Sequence, residues 1–164
     1  MSTNHPIKQL DMIVLPPEED KQWAQVIGSL ILLFGSAEFI SFHFIGMLDG
    51  SDARDKAMKK TFSDRIQIVK KLIEGSKWPD DEKTEALKLW TEVAGKCKFR
   101  NAVAHNPFII KIEKGHRVVG ILKIRQLRGA PPYRPDLIRL SSVIEIHNRM
   151  KDIVFALNAL AKPR

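Results

Sequence analysis

The chain has 164 residues, a net charge of +8, 44% hydrophobic and 28% charged residues. This length and balance give one globular domain with a core of its own and exclude a disordered or low-complexity chain. A single cysteine, Cys97, excludes an internal disulfide, and the first twenty residues lack the basic start, apolar run and small cleavage residues of a secretory leader. The reducing cytoplasm is therefore the expected compartment.

The charge is unevenly placed. Residues 107–139 hold eight Lys or Arg against two acids, and the rest of the chain is close to balanced. A local positive field of this kind suits an anionic partner such as nucleic acid.

Residues 1–20 read as an irregular arm. Pro17 followed by Glu18, Glu19 and Asp20 starts a helix well, since the acids face the positive end of its dipole. The first helix is expected from about Lys21 to Leu48. Between Trp23 and Leu48 only Glu38 and His43 can carry charge, which has the length of a membrane span. A mid-span Glu costs about 2.5–3.5 kcal/mol even on lenient insertion scales. Gln22, Ser29, Ser36 and His43 also recur every seven residues as a polar stripe, with Gly28 and Gly35 beside it. A core helix with a face for a second copy of the chain is expected, and no membrane; a small membrane-associated helical protein is the last-placed alternative.

After the turn Asp49-Gly50-Ser51-Asp52, the spacing of Phe62, Ile66, Val69, Leu72 and Ile73 predicts a second helix, firmest over 61–74 and extending back over 53–60. Pro79-Asp80-Asp81-Glu82 starts the third helix. Leu87, Trp90, Ala94, Cys97, Asn101 and Ala104 define its predicted buried stripe, and it must stop near His105, because Asn106 precedes Pro107. The period then changes to that of strands. Phe108 to Ile112 and Val118 to Arg125 predict a β-hairpin within about 108–127, turned at Lys114-Gly115. A loop follows, and the last helix is expected over about 137–161, buried through Val143, His147, Met150, Val154, Leu157 and Ala161. The fold class is mainly all-α: an up-and-down four-helix bundle over 21–161, with a β-hairpin inserted before the last helix.

The chemically suggestive residues cluster at the end of the third helix, in Phe99-Arg100-Asn101-Ala102-Val103-Ala104-His105-Asn106. On a regular helix Arg100 and His105 point about 140° apart. They converge only if the Arg folds around, the last turn unwinds, or a second chain completes the site. Glu38 needs a partner when buried; Arg100 or Asn101 is expected, with a pair to some other base or a partly exposed site as the equal alternative. Lys111, Lys114, Arg117, Lys123, Arg125 and Arg128 would form a basic hairpin face, with Phe108 and Tyr133 placed to stack on bases. The plain alternative is a solvated face that blunts a sheet edge. No His or Cys pair has metal-ligand spacing, and no Gly-rich phosphate loop appears; neither metal nor cofactor is expected. His43 and His147 read as satisfied core groups.

The eight residues 99–106 resemble the signature of the HEPN superfamily, an Arg, usually a polar residue next, and a His after four to six intervening residues. The layout is also similar: the motif ends a late helix, after a long apolar first helix with a lone Glu. The hairpin departs from the minimal bundle. The resemblance implies a metal-independent endoribonuclease of toxin, phage-defence or RNA-processing type, usually dimeric, so that two motifs meet across an interface, with an antitoxin or other protein as a further partner. It implies that His105 moves the proton of the ribose 2′-hydroxyl or the leaving oxygen. Arg100 would hold the scissile phosphate, and Asn101 would orient Arg100 or His105. The alternative is a non-catalytic HEPN-like dimerisation or interaction module, in which Arg100, Asn101 and His105 form a structural knot.

Overall fold

The computed structural model describes residues 17–105, 108–113, 116–121 and 136–162. The order of elements is α1 (Pro17–Asp49), α2 (Ser51–Ala57), α3 (Phe62–Gly75), α4 (Asp80–His105), β1 (Phe108–Glu113), β2 (His116–Ile121), β3 (Asp136–Ile138) and α5 (Leu140–Leu160). The mainly helical bundle with strands inserted before the last helix is as the sequence indicates. Residues 1–16 of the expected arm lie outside the described residues, and its last residues already belong to α1.

The second helix is two helices. Gly50, at φ 90°, takes the left-handed conformation that ends α1 and turns the chain into α2. Thr61 then caps α3: its hydroxyl accepts from the Asp64 N–H, and the Asp64 carboxylate accepts from the Thr61 N–H. This reciprocal capping box breaks the helix expected to run through 53–74. The bonds Ser29–His147 and His43–Ala161 join positions at equal spacing along α1 and α5, as parallel helices require.

Helix α1 packs against α2, α3, α4 and α5. Its stretch Lys21–Asp49 is long and apolar enough to cross a membrane by length and composition. In the fold Leu30, Phe34, Ala37, Phe44 and Ile45 are fully buried, so one face of it is the centre of the core. Around it pack Ile66, Val69 and Ile73 from α3, Leu89, Trp90 and Val93 from α4, and Met150, Ile153 and Leu157 from α5. Phe44 meets Trp90 edge to face and Trp78 at a tilt, both with centroids 5.7 Å apart, a geometry the ring quadrupoles favour.

The hairpin is antiparallel, with Ile110 opposite Val119 and Lys111 opposite Val118. A third strand was expected to be helix. Residues 136–138 pair antiparallel with β2 instead, Val119 opposite Ile138, and α5 begins only at Leu140. Three strands give a sheet more of the mutual support that an isolated hairpin lacks.

Candidate functional site

Helix α4 sets the site. Its buried side chains are Ala86, Leu89, Trp90, Val93, Cys97 and Val103. At ~100° per residue, Arg100 lies within about 20° of their mean direction and Asn101 roughly 80° from it. The expected stripe is therefore corrected: Arg100 faces the bundle and Asn101 is exposed. Ala94 and Ala104 misled the pattern, because small apolar residues tolerate a flank or the surface. An Arg can lie over apolar neighbours on its methylene stem and keep its head at the rim.

Arg100 reaches Glu38 on α1. Its Nη2 stands 3.9 Å from Glu38 Oε2, and its Nη1 donates to Asn101 Oδ1 at 2.9 Å. Of the two partners expected for Glu38, Arg100 is one. Asn101 bonds Arg100 rather than Glu38, so the three residues are linked through the guanidinium.

Glu38 has a second and closer partner, Arg65 on α3, whose Nη2 donates to Oε1. Arg65 is 3% exposed. Its Nη1 donates to the Lys60 carbonyl at 2.5 Å, and its guanidinium carbon stands 4.2 Å from the Phe42 ring centroid and 5.9 Å from that of Phe62. Sequence reasoning missed Arg65. The signal was present: it precedes Val69 by four residues and so shares the buried stripe of α3. A lone acid in an apolar helix also asks for a buried cation.

The cluster is unevenly charged. Two guanidinium groups, Arg65 and Arg100, share one carboxylate. Arg65 Nε and Arg100 Nε are shielded from solvent and have no acceptor among the described residues. Cys97 lies on the same face of α4, and burial pushes its thiol pKa up, with Arg100 opposing and Glu38 adding.

His105, the last residue of α4, is exposed, and its side chain forms no hydrogen bond among the described residues. The last turn does not unwind, and Arg100 turns to Glu38. Within one chain Arg100 and His105 therefore do not converge. Of the expected basic face, Lys111 lies in β1 and Arg117 in β2, while Lys114, Lys123, Arg125 and Arg128, with Tyr133, lie outside the described residues.

His43 and His147 are satisfied, but at the α1–α5 seam rather than in the core. His147 pairs with the Ser29 hydroxyl at 2.8 Å and His43 with the Ala161 carbonyl at 2.9 Å. Two members of the polar stripe on α1 are thereby used within the chain, and Ser36 turns back to the Leu32 carbonyl. Two grooves, of about 410 and 710 Å³, flank the ring of Phe39, one toward Arg54 and one toward Phe155. Neither is lined by Glu38, Arg65 or Arg100. Among the described residues no three His, Cys, Asp or Glu gather as a metal site. Set against family models, curated proteins and solved structures, the chain matches none of them.

Proposed function

We propose that this is an RNA-acting domain of HEPN type, in which two copies of the chain combine Arg100 of one with His105 of the other to cleave RNA without a metal. The observation that carries the reading is the state of Arg100. It shares a carboxylate with a second arginine, keeps a 28% exposed side chain, and sits five residues before an exposed His105 on the same helix. Such a guanidinium can take a phosphate through charge-assisted hydrogen bonds. The 2′-hydroxyl would attack phosphorus, the 5′-oxygen would leave, and a 2′,3′-cyclic phosphate would remain. His105 would take the proton from the first oxygen or give one to the second. The basic segment 107–139 would add sequence-tolerant, salt-sensitive contacts to the backbone.

The second reading is the non-catalytic module. The bond from Arg100 to Asn101 favours it, since it ties two members of the motif together inside one chain. Cleavage of an end-labelled single-stranded RNA in EDTA separates the two. The catalytic reading expects cutting with cyclic-phosphate ends, lost in both Arg100→Ala and His105→Ala. Absence of cutting, or equal cutting by all three proteins, leaves the interaction module.

A further inference from the structure

We propose that Arg65 is a positioning residue for the phosphate site: by holding Glu38, it keeps that carboxylate from neutralising Arg100. The inference rests on the reading that Arg100 takes an RNA phosphate, and it adds how the arginine stays available.

The two arginines hold the one carboxylate unequally. Arg65 is buried, so its charge demands an ionic partner, and Glu38 alone supplies one among the described residues. Arg65 is also fixed from three directions, by the Lys60 carbonyl, by Glu38 Oε1 and by the face of Phe42. Arg100 is not held so. Its Nη2 is 3.9 Å from Glu38 Oε2, beyond hydrogen-bond length, and its Nη1 is spent on a neutral amide. The carboxylate is 33% exposed and lies between the two cations. Without Arg65 it would be free to close on Arg100 as a two-point pair, the geometry that a phosphate would otherwise use. The net single positive charge of the cluster is then the site's reserve for an anion.

The position of Glu38 follows from the fold. Thr61 starts α3 so that its first turn brings Arg65 beside Glu38 and Phe42 of α1, while Arg100 approaches the same carboxylate from α4. No other described carboxylate contacts Arg65 or Arg100: Asp64 is bonded to Thr61, and Glu92 to Arg149.

The test uses a fluorescein-labelled, fully 2′-O-methylated single-stranded RNA, which binds but cannot be cleaved, followed by anisotropy. Arg65→Met is expected to weaken binding roughly tenfold, as much as Arg100→Ala does, since one charged hydrogen-bonding partner is lost in each. The double variant Glu38→Gln with Arg65→Met removes the competing carboxylate as well, and binding is expected to return to within about threefold of wild type. A purely structural role for Arg65 predicts no such rescue. Wild-type affinity in Arg65→Met, or a double variant as weak as Arg65→Met, overturns the inference. Should Arg65→Met not fold, Arg65→Lys serves: an ammonium lacks the fork that holds the Lys60 carbonyl and Glu38 together, and a loss of binding in the same direction is expected.

A second measurement decides the point without RNA. A double-mutant cycle on urea unfolding gives the coupling of Glu38 to Arg100, once with Arg65 present and once in the Arg65→Lys background. The coupling is expected to rise from near none to roughly tenfold in the folding equilibrium constant. No rise overturns the competition even where RNA binds. If instead the coupling rises but Arg100→Ala leaves RNA binding unchanged, Arg65 keeps its role toward Glu38 and the RNA reading falls.

Discussion

Helix α4 carries two acid–base contacts about two turns apart, and they are opposite in kind. Glu92 meets one arginine, Arg149 of α5, through two parallel bonds of 2.8 and 2.6 Å. The pair is complete: each oxygen has a donor, and charge balances charge. Arg100 instead shares Glu38 with Arg65, and its own contact to that carboxylate is long. The first arrangement uses its charge to join two helices near solvent. The second leaves a positive surplus at a rim. A complete pair has nothing left for a ligand, whereas an incomplete one does, which is why the second is the candidate site.

The difference can be broken from its buried side first. Arg65→Met leaves Glu38 without its closest partner and removes a cation packed on Phe42. A loss of about 2–3 kcal/mol in unfolding free energy is expected, below the ~3–5 of a fully buried pair because Glu38 is partly exposed. Chemical denaturation measures it. Arg100→Ala should act the other way round. Its stability cost should stay under about 1 kcal/mol, as for a partly exposed contact, while RNA binding drops. Were Arg100→Ala the more destabilising of the two, the order of hold on Glu38 would be reversed.

Arg149→Ala sharpens the comparison from the complete pair. A cost of roughly 0.5–1 kcal/mol is expected, discounted for solvent screening at these exposed groups, with RNA binding unchanged. The smallest effect is its pH dependence. The Arg149 hydrogen bond holds the Glu92 carboxyl below its usual range. A carboxyl lowered in the folded state contributes stability that is present above its unfolded pKa. That contribution is lost as pH falls through the lowered folded value. The gap in melting temperature between wild type and Arg149→Ala should therefore be full near neutrality and close in acid. A gap that persists at pH values below the ordinary carboxylate range would assign the stabilisation to packing of the Arg stem instead.

Much of this architecture is legible from residue spacing. The helices built on Trp90, Val143 and Met150, the stop after His105, and the change to strand period at Phe108 all follow from local pattern. The break at Thr61 was legible too, as Thr-Phe-Ser-Asp, but it competes with an uninterrupted helical periodicity on both sides. Strand β3 is not legible, since three residues after a proline carry little pattern and acquire their conformation from pairing with β2. In the site, the demand of Glu38 for a cation was readable; of the two partners expected Arg100 stands beside it, but another base, Arg65, holds it more closely. Arg65 was hidden because a charged residue on a buried stripe is normally discounted. Its place is set by the approach of α3 to α1, a tertiary fact. The exchange of Arg100 and Asn101 across the face of α4 has the same origin: polarity favours Asn over Arg for burial, and the partner on α1 reverses that preference.

In the proposed reading Arg100 and His105 act together only across two copies of the chain. Mixing the Arg100→Ala and His105→Ala proteins under conditions that allow subunits to exchange tests it most directly. A mixed dimer would contain one intact pair, Arg100 from one chain and His105 from the other. Equal mixing is expected to restore RNA cleavage to about a quarter of the wild-type level, because half of the dimers are mixed and each has one good site of two. Cleavage by the wild type with no recovery in the mixture would contradict the shared site.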